Sequence, residues 1–122
     1  MQKLAETKRK EKIEKYSQEI PEDVVQTIAA LDDIIRQAIL VLLTKHDELT
    51  FTEIQKELGL GKLVLNYHLK ILFSAGLTDH YFKRELGNPK YSYYSITTLG
   101  KRVLTKLVEA LTPPSQVQKN VS

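Results

Sequence analysis

Within the stretch GKLVLNYHLKIL (61–72), the residues with chemistry to offer are Lys62, Leu63, Asn66, Tyr67 and Lys70. On a helical wheel at about 100° per residue they share one side, at spacings i, i+1, i+4, i+5 and i+8. Leu65, Leu69 and Leu72 cluster on the other side, flanked by Val64 and His68. The polar stripe contains no acid, whereas an ordinary solvated face would carry Glu and Gln beside its lysines. Asn matches the N6 and N7 positions of adenine, Lys reaches guanine or phosphate, and Leu63 or Tyr67 can touch a thymine methyl group. The DNA major groove admits a helix, so the stripe reads as a face for double-stranded DNA. A solvated face and a protein-binding face, which Leu63 and Tyr67 would suit, stay open.

A second basic group, Lys83, Arg84 and Lys90, brackets the sequence ELGNP. These cations are expected to reach an adjacent groove or the DNA backbone, although Glu85 lowers the local charge. The alternative is a solvated hairpin whose lysines guard an exposed edge. Beyond it, Tyr91-Ser92-Tyr93-Tyr94-Ser95 is dense in hydroxyls. Strand alternation places Ser92, Tyr94 and Ile96 on one face and Tyr91, Tyr93 and Ser95 on the other. With Ile96 facing the core, the second set is expected to be exposed and open to modification. A phosphate there would add about −1.5 to −2 charges beside the basic group and oppose DNA binding. The plainer reading is that tyrosines are good strand formers.

Other chemistry finds little support. His46, His68 and His80 lie far apart, without paired spacing, so no metal site is expected. His68 borders the core side of its helix and reads as a hydrogen-bonded structural residue; His80 is placed to meet phosphate. Cysteine is absent, which removes disulfides, thiolate metal sites and cysteine nucleophiles together. No phosphate loop, nucleophile elbow or pair of carboxylates appears, so neither catalysis nor a cofactor is expected.

The elements that must position these residues follow from punctuation and periodicity. Residues 3–19 read as a charged helix with Glu6–Lys10 and Glu11–Lys15 pairs. Pro21-Glu22-Asp23 starts a second helix, with Pro in its first turn. Ile13, Tyr16, Ile20, Val24, Ile28, Leu31 and Ile35 form a stripe at spacings of 3 or 4 that runs through Pro21. Asp32-Asp33 restarts the chain into IIRQAILVLL, apolar nearly all round and expected to be the most buried helix. Leu49-Thr50-Phe51 reads as a short strand, and Thr52-Glu53-Ile54-Gln55 as a capping box opening helix 52–58, which stops at Gly59. The next helix runs from Lys62 to about Ser74 and ends at Gly76, with Leu77 as its Schellman partner. LTDHYFKR and KYSYYSI form a hairpin around Gly87-Asn88-Pro89. Thr97 or Thr98 caps a last helix with Leu104, Leu107, Val108 and Leu111 as its apolar set. The end, 112–122, is polar and expected to be disordered.

The chain has 122 residues and a net charge of +3, unevenly spread. Residues 1–60 hold 9 Lys/Arg against 12 Asp/Glu, whereas residues 61–106 hold 8 against 2. The half that carries the stripe and hairpin is therefore the half suited to a polyanion. No apolar run approaches the roughly 18 residues of a membrane span, and the charged N-terminus does not read as a secretory signal. A cytoplasmic, nucleoid-associated location is expected.

Helix, tight turn, helix and two-stranded ribbon make a mainly α fold with a small β-hairpin wing, a winged helix-turn-helix. Residues 31–111 resemble such regulators of the ArsR and MarR kind, most closely the small archaeal Lrs-type transcription regulators. The likeness lies in LDDIIRQAILVLL, FTEIQKELGL, LNYHLKILFSAGL and SITTLGKRVL, above all in His68-Leu69-Lys70 and Ala75-Gly76-Leu77. It implies that Lys62, Leu63, Asn66, Tyr67 and Lys70 face DNA. Many relatives begin the recognition helix with Ser or Thr, where this chain has Gly61, Leu63 and Val64; backbone amides would then take the phosphates. The metal-sensing branch uses cysteines, which are missing here. The expected organisation is an N-terminal helical dimerisation extension (1–30), the winged helix-turn-helix domain (31–97), a C-terminal dimerisation helix (98–111) and the tail. The apolar faces at both ends exceed what so small a core can cover, so a homodimer is expected. The lysine-rich start could instead be a basic DNA arm, but four glutamates within residues 1–20 oppose that. The expected function is sequence-preferring transcription regulation; the alternative is a winged-helix module that binds protein.

Overall fold

The computed structural model describes residues 2–84 and 91–113. Along the chain come α1 (Gln2–Ser17), α2 (Glu22–Leu31), α3 (Ile34–Thr44), β1 (Leu49–Thr50), α4 (Phe51–Leu58), α5 (Lys62–Ser74), β2 (Thr78–Lys83), β3 (Tyr91–Ile96) and α6 (Thr98–Leu111). The strands form an antiparallel sheet in the order β1-β3-β2. In its middle Thr50 pairs with Tyr93, which in turn pairs with Tyr81. The wing turn Gly87-Asn88-Pro89, Lys90 and residues 114–122 of the tail lie outside the described residues.

Helix boundaries follow local chemistry. Asp33, in extended conformation, accepts from the amides of Ile35 and Arg36 and so starts α3 after the break at Asp32. Pro21 is the N-cap of α2, one position ahead of the first turn in which the sequence places it. The capping box is also displaced. Thr50 caps α4, its hydroxyl accepting from the Glu53 amide at 3.2 Å while the Glu53 carboxylate accepts from the Thr50 amide at 3.0 Å. Thr50-x-x-Glu53 and Thr52-x-x-Gln55 are overlapping boxes in the sequence, and pairing of β1 with β3 holds Thr50 extended, as an N-cap must be. Gly59 (φ +65°) ends α4 and Gly76 (φ +75°) ends α5. At the latter, Leu77 N donates to Leu72 O and Gly76 N to Phe73 O, the two bonds of a Schellman motif.

The core joins α3, α4, α5 and the sheet through Ile39, Leu40, Leu43, Ile54, Leu65, Leu72 and Leu77, all essentially solvent-free. Each such side chain contributes roughly 1.5–3 kcal/mol on burial. Thr97 caps α6 by accepting from Gly100 N and ties it to the end of α5 by donating to Gly76 O. A Cβ on Gly100 would lie 2.5 Å from the Leu77 carbonyl oxygen, so only glycine lets α6 approach this closely.

The two ends of the chain behave differently. No residue of α1 is buried, and Leu4, Ile13, Tyr16 and Ile20 are exposed. On α6 Gly100, Val103 and Leu104 pack against the core; Leu107, Val108 and Leu111 are exposed. A groove of about 470 Å³ between α2 and α6, lined by Val24, Ile28, Leu31, Leu99, Val103 and Leu107 among others, stays open.

Candidate nucleic-acid interface

Helix α5 exists because its apolar positions recur on one face and glycines bound it. Leu65, His68, Leu69 and Leu72 are buried, and Lys62, Leu63, Tyr67 and Lys70 point outward. Leu63 is 84% exposed and Tyr67 61%; Val64, expected to flank the core side, and Phe73 are exposed on the same helix as well. Asn66 is half-buried and turned toward the sheet, beside Lys62, Leu63, Ser92 and Tyr94. Among the described residues neither Lys62 nor Lys70 has an acidic partner. Gly61 offers no side-chain cap, leaving the first amides of α5 without side-chain acceptors.

The orientation of α5 is fixed from beneath by a residue that the sequence reading passed over. Arg36, nine-tenths buried, donates from Nε to Ala30 O at 2.6 Å and from Nη2 to Ala29 O at 3.2 Å, closing the end of α2. Its Nη1 lies 3.0 Å from His68 Nδ1. Because a guanidinium only donates, His68 must accept at Nδ1 and carry its proton on Nε2. The 3.8 Å approach of Asp33 to the same Nδ1 is therefore not an ion pair. The Asp33 carboxyl is held below its usual range, first by the Arg36 amide that donates to it. His68 is thus the structural residue expected. The signal for Arg36 was an arginine inside an apolar helix, three residues after its N-cap.

The wing differs from its sequence reading. Lys83 lies on the sheet face that carries Tyr81 and Tyr93, and its Nζ sits 2.5 Å from Glu48 Oε1. The other carboxylate oxygen of Glu48 accepts from the Tyr81 hydroxyl. The ammonium also lies 5.8 Å and 5.3 Å from the ring centroids of Tyr81 and Tyr93. The Lys83 hydrogen bond, then that of Tyr81, lowers the Glu48 pKa; Glu48 in turn raises that of Lys83. Lys83 is consequently a paired cation rather than a free one. Arg84 is exposed, and Lys90 lies outside the described residues. His80 is likewise engaged: its ring stacks on Tyr94 at 4.4 Å, and Nε2 bonds the Ser92 hydroxyl. Of the hydroxyls expected to be exposed, only Tyr91 is; Tyr93 and Ser95 are half-buried, because β1 and Tyr81 flank them. Among the described residues no cluster of three or more His, Asp or Glu is arranged to hold a metal ion.

These elements in this order define a winged helix-turn-helix. Residues 33–79 match the model of a family described as bacterial regulatory protein, arsR family. Among solved structures, a transcriptional regulator homologue from Pyrococcus horikoshii OT3 superposes with a TM-score of 0.61 at 21% identity, covering 84% of this chain and 99% of that one. NolR from Sinorhizobium fredii gives 0.60 at 24% identity over 80% and 91%. A MarR-family regulator from Porphyromonas gingivalis W83, described there as putative, gives 0.58 at 23% over 71% and 83%. No curated protein matches the chain by sequence. The likeness to ArsR- and MarR-type proteins seen in the sequence thus holds for the fold. No helix among the described residues is long and apolar enough to cross a membrane.

Proposed function

We propose that this chain is a homodimeric transcription regulator that binds double-stranded DNA with sequence preference and catalyses no reaction. The observation that carries this reading is the acid-free outer stripe of α5, exposed at Leu63 and Tyr67 and braced underneath by Arg36 and His68. In the complex α5 enters the major groove. Asn66 and Tyr67 read base edges, Leu63 adds an apolar contact, and Lys62 and Lys70 take phosphate or guanine. Arg84 and Lys90 bring the wing to the neighbouring groove or backbone. The protein acts in the cytoplasm on the nucleoid. The match of residues 33–79 to a regulatory family supports the assignment.

Changing Asn66 and Tyr67 together to Ala should reduce discrimination between a preferred site and a scrambled one by about 1–3 kcal/mol. A gel-shift titration with identical affinities for wild type and double mutant on both duplexes would remove the assignment.

The dimer reading draws on the many exposed apolar residues of α1, α2 and α6, such as Ile13, Tyr16, Ile28, Val108 and Leu111, since exposed apolar patches mark association surfaces. Two-fold pairing would set two recognition helices on one face of the duplex. Deleting residues 1–20 should convert the dimer to monomer in sedimentation velocity and weaken binding to paired half-sites; a full-length monomer would sink the symmetric arrangement. A second reading, a protein-binding winged helix, draws on the same exposed Leu63 and Tyr67. It predicts affinity for a protein partner with little of the steep salt dependence that phosphate contacts impose.

A further inference from the structure

The wing carries a basic residue that the fold keeps from the place where the proposed interface would use it. Lys83 stands opposite Tyr91, at the tip end of the described part of the hairpin. Glu48 stands at the other end, immediately before β1, whose Leu49 and Thr50 pair with Tyr94 and Tyr93. For Lys83 Nζ to lie 2.5 Å from Glu48 Oε1, the lysine side chain must fold back from the tip, across Tyr93, toward the body of the protein. Three features hold it there. The carboxylate is itself fixed by the Tyr81 hydroxyl, Tyr81 stacks on Tyr93 at 6.1 Å, and both rings lie within cation–π reach of the ammonium. The lysine remains 47% exposed at its side chain, so its position is set by partners and not by burial.

We propose that Glu48 limits the grip of the wing on DNA by holding Lys83 folded back, out of reach of the phosphates. The inference rests on the DNA-binding reading above and deepens it by naming a residue, remote from the recognition helix, that sets the share of sequence-independent binding. A phosphate contact strengthens binding to every sequence alike. Withholding one such contact per protomer lowers background binding and leaves base discrimination by α5 untouched.

The test uses the full-length protein and a fluorescent 30-base-pair duplex of mixed sequence, with binding followed by anisotropy from about 50 to 200 mM salt. Glu48→Gln removes the charge while its amide oxygen can still accept from Tyr81. The released Lys83 should then add one phosphate contact per protomer, steepening the log–log salt slope by about 0.9 for each. Over that salt range the variant should lose roughly 3.5-fold more affinity per protomer than wild type, starting from tighter binding at the low-salt end. Lys83→Ala alone should leave the wild-type slope unchanged, and adding it to Glu48→Gln should return the slope to the wild-type value. A slope that falls by about one contact in Lys83→Ala, with no rise in Glu48→Gln, would overturn the proposal by showing Lys83 already on the backbone. A folded Glu48→Gln variant whose slope does not rise also overturns the proposal, whatever Lys83→Ala shows. Should Glu48→Gln disturb the wing, Glu48→Ala, which removes the carboxylate altogether, must give the same Lys83-dependent rise. Failure of the underlying reading is distinguishable: wild type would then bind the duplex without salt dependence, and Lys62→Ala with Lys70→Ala would change nothing.

Discussion

The recognition helix and the wing carry basic residues in the same half of the chain, yet the fold treats them oppositely. In α5 the lysines have no acidic partner among the described residues, and the constraint lies underneath, where Arg36 spans the end of α2 and His68. In the wing the constraint lies on the surface, and it falls on a lysine that sequence alone counts as available. Basic residues in a nucleic-acid-binding fold are thus not equivalent contributors to affinity. What matters is whether each ammonium can reach phosphate without first breaking an ion pair, and that depends on residues far away in the chain.

The comparison breaks most visibly if the support beneath α5 is removed. Replacing Arg36 with Met keeps much of the buried stem but takes away every donor. The Ala30 carbonyl and the His68 Nδ1 lone pair then lose their partner, whereas the exposed Ala29 carbonyl keeps the Asp32 amide. Unsatisfied buried acceptors cost about 1–3 kcal/mol each when water cannot replace the donor. Water can reach part of this region through the open groove of about 580 Å³ that Arg36, Tyr67 and Lys70 help to line. A net loss of about 3 kcal/mol is therefore expected, read as a lower urea midpoint with an unchanged slope. Site discrimination should fall with it, since Tyr67 and Lys70 ride on the same helix turn as His68. An unaltered midpoint would show that hydrophobic packing alone orients α5, and the contrast with the wing would vanish.

The two regions also differ in how much of them the sequence reveals. The bounds of α5 were legible because Gly61 and Gly76 punctuate a helical repeat, and its outer stripe follows from the wheel except at Asn66, which is half-buried beside the sheet. The strands were legible from their alternation, with Tyr94 and Ile96 turned inward as expected. The roles of Arg36 and Glu48 were not. Their partners lie 32, 33 and 35 positions away, at His68, Tyr81 and Lys83, and no local pattern marks such pairs. The cap of α4 was misplaced for a related reason: two boxes of equal local quality compete, and a strand pairing with distant Tyr93 selects Thr50. The apolar face of α6 exceeds what the core covers, as expected: Leu104 packs on the core, while Leu107, Val108 and Leu111 are exposed.

The smallest effect sharpens the wing side of the contrast through pH. Glu48, with an ordinary value of 4.5, has its pKa lowered in the folded protein, first by its hydrogen bond to Lys83 and then by that to Tyr81. A carboxylate depressed on folding contributes stability that is present above its unfolded value and is lost as pH falls through the folded one. The same contact raises Lys83 above its ordinary 10.5, so that arm fails only in strong base and the clasp is intact throughout the neutral range. The difference in melting temperature between wild type and Glu48→Gln should hence stay constant from neutrality down to about pH 4.5 and close below it. Subtracting the variant cancels the titration of groups that do not feel Glu48, such as Asp33, whose own lowered pKa acts on α3 in the same acid range; Glu53, which Glu48 influences only as its smallest cause, cancels in the main. The gap should be small, because both partners face solvent and exposed ion pairs contribute little. A gap that persists unchanged to about pH 3 would mean that shape, and not charge, holds Lys83 against Glu48. In that event the wing's lysine would be restrained by packing, as α5 is, and the two regions would no longer differ in kind.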